Sequence, residues 1–416
     1  MVRAGHLRSR LSAGCCPWRA CGTQLHPLGT RELYTVTRAR DVDPSRTCVG
    51  SHAQVEGGVA VKALLIGGTG PTGPYVVAGL QERSYEVTLL HRGLREIAEN
   101  EGVQHIHADP FDKDSVTDAL ADQHFDLVIA AYGRLRLLAD IARGVTERFV
   151  AVTSGAVYQG YSEYVQPEAA WRHLVPLPMR EEAGHGQGAI KLRRAVAAGE
   201  RTVFDNQAND SYSATILRYP YVYGPRQLVP REWRVIRRLL DGRRSIIVVD
   251  GGLTISSQGF AANLAHAVLL AVDRPVISSG QVYNCGDERL VTVREWIERI
   301  AQAMEIEIEI VSVPTWMVSD HHALLWKADS NHRFFDLSKI TRDLGYRDIV
   351  PIDSAVSQTV DWYLSHPLDQ ASEARLPDPF DYEGEDSIID NYAKLRDRYS
   401  DQVSHQDRPY SYPYGV

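Results

Sequence analysis

Residues 67–73 read Gly-Gly-Thr-Gly-Pro-Thr-Gly, which places Gly67, Gly70 and Gly73 three apart. Glycines spaced in this way allow a tight turn, close approach of backbone N–H groups to a pyrophosphate, and close packing of a helix on a strand. Pro71 and Thr72 complete the loop, and Pro74 falls in a first helical turn, where its missing N–H costs nothing. A helix opening there adds the positive potential of its N-terminus. The chemistry predicted is dinucleotide binding, provided that a strand leads into the loop and a helix leads out. Arg92 ends a second apolar run. An acid at that place would hold the ribose 2′-hydroxyl of NAD, whereas an arginine offers a charge-assisted fork to the 2′-phosphate of NADP. NADP is therefore the expected cofactor and NAD the alternative; the plain structural reading of Arg92 is a solvated surface residue. Asp109 follows a third run and could accept from the adenine amino group, and Ala131 and Tyr132, ending a fourth, are further cofactor-binding candidates.

The elements that must position these residues have a regular order. The run 63–66 is continuously apolar, as a strand buried on both faces of a parallel sheet should be. Further strands are expected at 86–90, 104–107 and 126–133, with a helix at 112–122. This β-α-β-β-α-β order predicts an α/β, Rossmann-like doubly wound parallel sheet with right-handed crossovers. Downstream, 230–241 reads as a basic amphipathic helix carrying Arg231, Arg234, Arg237 and Arg238, and 263–273 as a buried helix. A returning strand is expected at 281–284. Thr292 and Glu295 form a capping box at the start of another helix. Leu376 to Tyr382 reads as an extended arm and 386–398 as a short helix before a Tyr/Pro tail.

Other segments follow in an order that carries a resemblance. Thr153-Ser154-Gly155-Ala156-Val157-Tyr158-Gln159-Gly160 looks like a fifth strand with an S-x-x-x-Y-G turn, and Leu217-Arg218-Tyr219-Pro220-Tyr221-Val222-Tyr223-Gly224-Pro225-Arg226 like an "LR-x-x-x-VYGPR" strand and loop. Together with the glycine spacing, 280–286, 336–346 and 360–363, the stretch 62–366 resembles the NAD-dependent epimerase/dehydratase family of extended and atypical short-chain dehydrogenase/reductases. The resemblance implies hydride transfer at nicotinamide carbon 4 by a Tyr-x-x-x-Lys pair with a serine on the reacting oxygen. It implies Ser154 as that serine and Lys191 as the ribose-binding lysine. Thr153, Tyr219 and Pro220 fall at the nicotinamide end, and the arginine-bearing helix falls where nucleotide-sugar epimerases contact the substrate diphosphate. A solvated helix face is the plain alternative for those arginines.

The active centre departs from the family pattern. Gln187 stands four residues before Lys191, and an amide is no proton donor of useful pKa. The stretch 134–144 also lacks the asparagine of extended members. Three explanations are open. Another acid substitutes, with Tyr158, Tyr161, Tyr164 and His185 as candidates, although Tyr158 also reads as a ring packed at a strand end. The register across the Pro- and Gly-rich insertion differs. Or the protein binds NADP without transferring hydride.

Composition bounds these readings. The chain has 416 residues, 44% hydrophobic and 24% charged, with formal net charge −8. Residues 1–60 hold eight arginines against four acids, a surplus of four, so residues 61–416 carry −12. That charge argues against nucleic acid as a partner, and the apolar runs are too short for a membrane span. Four of the five cysteines, Cys15, Cys16, Cys21 and Cys48, lie in that leader, leaving Cys285 alone in the body, which fits a reducing, cytoplasmic compartment. The leader has three readings: an organellar targeting peptide over 1–40, a metal site at the cysteines, or translated sequence before the true start. Disorder is expected in each case. No metal-ligand spacing is recognised in the body.

The domains expected are the leader 1–60, a Rossmann core over 61–220 completed by 254–285, a mostly substrate-binding part over 221–366, and an arm and tail over 367–416. The function expected is an NAD(P)-dependent oxidoreductase or epimerase/dehydratase acting on a hydroxyl- or carbonyl-bearing metabolite, such as a nucleotide sugar or secondary metabolite, in a homodimer. The alternative is a non-catalytic NADP-binding regulator or scaffold.

Overall fold

The four residues Ala63 to Ile66 are all buried, and they divide between two cores because successive strand side chains point to opposite faces. Ala63 and Leu65 pack with Val76, Val77, Leu80, Leu264 and Val268. Leu64 and Ile66 pack with Val116, Leu138 and Val203 on the other side. The strand they form is the middle of the fold, and two apolar faces demand helices above and below it.

The computed structural model describes residues 61–159, 161, 176–183, 191–318 and 331–400. The expectations for the leader, for Tyr164, His185 and Gln187, and for the Tyr/Pro tail lie outside them. The first half runs β1 (Val61–Ile66), α1 (Gly73–Glu82), β2 (Tyr85–His91), β3 (Gln104–His107), α2 (Lys113–Ala119), β4 (Leu127–Ala130), α3 (Leu135–Ala142), β5 (Arg148–Ser154), α4 (Lys191–Ala208) and β6 (Ser213–Tyr219). There follow β7 (Tyr221–Tyr223), α5 (Arg231–Leu240), β8 (Ser245–Val249), β9 (Gln258–Phe260), α6 (Ala261–Asp273), α7 (Pro275–Ser278) and β10 (Gln281–Asn284). The chain closes with α8 (Val293–Ala303), β11 (Glu309–Val313), α9 (Ser338–Leu344), α10 (Ile352–Ser365), α11 (Gln370–Glu373) and α12 (Tyr382–Ser400).

Seven strands form one parallel sheet in the order β10-β6-β5-β4-β1-β2-β3. The chain winds outward from β1 through β2 to β3, then restarts at β4 and winds the other way. The crevice beyond the carboxyl ends of β1 and β4 is the switch point where such sheets bind ligands. The doubly wound fold expected from the sequence is the fold observed.

Local signals set several boundaries. Asp112 caps α2 by accepting from the Ser115 N–H at 2.9 Å, and Thr292 caps α8 by accepting from the Glu295 N–H at 3.1 Å. Helix α2 stops at Ala119, short of the expected 122, and Asp122 takes a left-handed φ of 60°, which no helix continues through.

A third core lies outside the sheet. Trp233, Ile236 and Leu239 of α5 pack with Trp296, Ile297 and Ile300 of α8 and with Val356, Val360 and Tyr363 of α10. For two of its arginines neither expectation for this helix holds. Arg234 and Arg238 are buried rather than solvated, and they are taken by the chain's own carboxylates rather than open to a diphosphate. Arg234 Nε donates to Asp378 Oδ2 at 2.7 Å, and Arg238 Nη1 and Nη2 donate to Asp378 Oδ2 and Oδ1 at 2.8 and 3.0 Å. Arg238 also binds Glu385 of α12. That helix is longer than expected, spanning 382–400. Among the described residues, no helix is long and apolar enough to cross a membrane.

Candidate functional site

β1 delivers the chain into the glycine loop at the switch point. Gly67 has φ +100°, and a Cβ there would lie 2.4 Å from Cβ of Tyr132; an L side chain satisfies neither condition. The Gly67 N–H donates to the Leu90 carbonyl at 3.0 Å and the Ala131 N–H to the Ile66 carbonyl at 3.0 Å, so the ends of β1, β2 and β4 stay laced. Gly73 opens α1, where a Cβ would meet the Gly68 carbonyl oxygen at 2.0 Å. Gly70 differs: nothing stands within 4 Å of its Cβ position. The loop backbone there faces open space, the room that a pyrophosphate requires. Thr72 makes no side-chain capping bond to α1.

A cleft runs from this loop, lined by Gly67, Gly70, Arg92, Arg95, Pro110 and Tyr132 among others. Both arginines are exposed. Arg92 Nη2 donates to the Tyr132 hydroxyl at 3.4 Å, and Phe111 meets the Tyr132 ring edge-on at 5.3 Å between centroids. Pro110 lines the cleft where the sequence pointed to Asp109, whose Oδ1 instead accepts from the Phe111 N–H at 3.1 Å and holds the turn. Two residues were missed by sequence reasoning. Arg95 stands three after Arg92 with no motif to single it out. Asn100, 1% exposed, braces the loop from beneath by donating from Nδ2 to the Gly68 carbonyl at 3.0 Å. Open backbone at Gly70 with two exposed guanidinium groups on one cleft fits a phosphate-rich dinucleotide.

Two strands from β1, Ser154 ends β5 and its Oγ accepts from the Ala156 N–H at 3.1 Å, holding a short turn. Lys191 is the first residue of α4 and is exposed. Other candidates at this end point elsewhere. Thr153 Oγ1 donates to Glu200 Oε1 at 2.8 Å. The Tyr219 ring lies in the sheet core and its hydroxyl donates to the Leu264 carbonyl at 3.0 Å, and Pro220 beside it is buried. Tyr219 therefore has only its backbone to offer a cofactor.

Tyr158 is likewise corrected. Its ring is fully buried, its hydroxyl donates to Asn284 Oδ1 at 2.7 Å, and Arg218 Nη1 donates to it at 2.8 Å. Burial pushes the phenol up to about 12 against the opposing pull of Arg218. A phenol with both hydrogen-bonding functions engaged inside the protein holds structure together and exchanges no proton with a substrate. Tyr161 is placed differently. Its ring stacks on Phe335 with centroids 5.3 Å apart, and its Cζ would lie 2.9 Å from a Cβ on Gly155. The hydroxyl-bearing end of Tyr161 thus lies against the backbone that follows Ser154. Burial pushes this phenol up to about 12, as it does Tyr158, while Arg231, Arg333 and a hydrogen bond with the Tyr221 backbone pull it down.

Residues 131–286 match the model of the NAD dependent epimerase/dehydratase family, and residues 67–175 match an NAD(P)H-binding family. Over residues 131–286 the chain is similar to the NAD dependent epimerase/dehydratase family. An uncharacterized protein of Escherichia coli, YbjS, is 24% identical over 270 residues, 59% of this chain and 74% of that protein. The dTDP-D-glucose 4,6-dehydratase of mouse is 21% identical over 358 residues, covering 78% of this chain and 95% of its own. Among solved structures, the UDP-glucose 4-epimerase of Bifidobacterium longum in complex with NAD+ and UDP superimposes with a TM-score of 0.57 at 18% identity, over 74% of this chain and 99% of that one. Likeness at that identity carries the fold alone. The Rossmann-type NAD(P)-binding half is present; Gln187 lies outside the described residues.

Proposed function

We propose that the protein is an NADP-preferring oxidoreductase or epimerase/dehydratase acting on a hydroxyl- or carbonyl-bearing metabolite of the nucleotide-sugar class. The observation that carries this reading is the cleft on which the open backbone at Gly70 and the exposed Arg92 and Arg95 meet. The names of the dehydratase and epimerase relatives support the substrate class. When bound, the nicotinamide supplies a hydride donor or acceptor. Backbone N–H groups of Gly67 to Gly73 hold the pyrophosphate, Arg92 with Arg95 holds the 2′-phosphate, and Lys191 holds the ribose. Ser154 Oγ orients the reacting oxygen, and the Tyr161 hydroxyl moves the proton.

The purified chain, assayed with NADP and NAD against a panel of UDP- and dTDP-sugars, should oxidise, dehydrate or epimerise at least one of them. Neither cofactor turnover nor isomerisation across the panel, together with saturable NADPH binding, would sink the enzymatic reading. It would leave the second, an NADP-binding protein without hydride transfer. Two observations favour that second reading: the commitment of Tyr158 to Arg218 and Asn284, and Gln187 at the usual tyrosine position.

A further inference from the structure

Three imidazoles and a carboxylate converge beside the cleft. His91, at the end of β2, lies directly opposite His107 on β3, and His105 and His107, two apart on that strand, project from one face because strand side chains alternate. The rings of His105 and His107 stand edge-on to His91, with centroids 4.9 and 5.0 Å away. Glu96 closes the group from the loop after β2. Its carboxylate oxygens lie 3.3 Å from His105 Nδ1, 3.4 Å from His107 Nε2 and 3.9 Å from His91 Nε2. One potential ligand atom from each residue falls within 4.8 Å of all the others.

We propose that this cluster binds one divalent transition-metal ion of the Zn2+ class, with His105 Nδ1, His107 Nε2 and a Glu96 oxygen as ligands and His91 Nε2 as the fourth. Metal–ligand bonds of about 2.0–2.1 Å in a tetrahedron set neighbouring ligand atoms about 3.3–3.4 Å apart; Glu96 Oε1 keeps that separation from His107 Nε2 and Oε2 keeps it from His105 Nδ1, so a small rotation of the exposed carboxylate brings one oxygen into place for both. A donor set dominated by imidazole favours zinc and its neighbours over the oxygen-seeking Ca2+ and Mg2+. His105 is already oriented for ligation: its Nε2 faces the Asn100 carbonyl at 3.4 Å, so the proton resides there and the Nδ1 lone pair faces inward. His91 is the adjustable member. The Gly93 N–H donates to its Nδ1 at 3.1 Å, which keeps the neutral ring's proton on Nε2, 2.7 Å from His105 Nδ1. Ligation displaces that proton and breaks the Gly93 bond, so His91 contributes less than the other three. The bound ion ties the loop that carries Arg92 and Arg95 to β3.

The test is calorimetric titration of the chelator-treated full chain with ZnCl2 alone, with Co2+ substituted in parallel for its visible spectrum. One equivalent should bind, and Co2+ should show the intense d–d bands of four-coordination. Affinity should fall at least about tenfold in His105→Ala and in the exposed loop variant Glu96→Gln, since even outer-shell changes cost that much, and by less in His91→Asn. Absence of saturable Zn2+ binding overturns the proposal. So does one-equivalent binding that survives in a folded His105→Ala/His107→Ala double variant, which would place the ion elsewhere, with Cys15, Cys16 and Cys21 as the evident alternative. Unchanged affinity in Glu96→Gln removes the carboxylate and overturns the ligand set.

Discussion

Arg218 of β6 grips Glu200 of α4 through two hydrogen bonds, Nε to Oε1 at 3.1 Å and Nη2 to Oε2 at 2.7 Å, with both side chains buried. Thr153 and Tyr158 attach to the same pair, so it fixes the helix that begins at Lys191 against the strand that ends at Ser154. Removing one charge strands the other in a dry interior, at a cost of about 3–5 kcal/mol. Glu200→Gln should lower unfolding free energy in urea by that order. A loss below about 1 kcal/mol, the value of an ordinary hydrogen bond, would show that the pair does not hold the two elements together.

Tyr158→Phe removes a hydroxyl from that network. Stability should fall by about 1–3 kcal/mol as partners are left unsatisfied, while the pH profile of turnover keeps its shape. Tyr161→Phe should instead lower kcat by roughly 10²–10⁴-fold, the worth of a positioned acid/base, and change the pH profile of turnover. The reverse pattern would return the catalytic role to Tyr158.

The glycine loop separates folding from binding. A Cβ on Gly73 collides with the Gly68 carbonyl, whereas one on Gly70 meets no protein atom. Gly73→Ala should destabilise the protein by about 1–3 kcal/mol, as overpacking does. Gly70→Ala should leave the melting temperature unchanged and weaken NADPH binding. Unaltered NADPH affinity in Gly70→Ala would move the cofactor away from this loop.

The arm carries a pH signature. Burial pushes the Asp378 carboxyl up, but Arg238 and Arg234 outweigh it and hold the group below the ordinary carboxylate range. As pH falls, the unfolded chain therefore takes up the proton first. The stabilisation is present above about pH 4, the unfolded value, and is lost as pH drops through the folded one. Urea midpoints measured from about pH 6 to pH 3 should decline in the parent and decline less steeply in Asp378→Asn. Equal slopes would show that Asp378 does not carry this dependence.

Legibility in the sequence followed distance along the chain. The strand, loop and helix from Val61 to Glu82 are adjacent, so four apolar residues and three spaced glycines sufficed to read them. Thr292 and Glu295 announced the start of α8 for the same reason. The arginines of α5 were misread because their partner, Asp378, lies about 140 residues downstream. Asn100 and Gly68 are separated by 32 residues and share no spacing rule. The histidine cluster went unread: His105 and His107 are only two apart on one strand, and His91 and Glu96 join them only through the pairing of β2 with β3.

The proposed site places NADP in the cleft over Gly70 with Arg92 on its 2′-phosphate. Fluorescence titration of NADPH and NADH into the full chain and into Arg92→Asp tests it most directly. NADPH should bind more tightly than NADH, with the preference falling by about tenfold to a hundredfold in the variant, the value of a charge-assisted hydrogen bond. Failure of both cofactors to bind, or a preference that Arg92→Asp leaves unchanged, would contradict it.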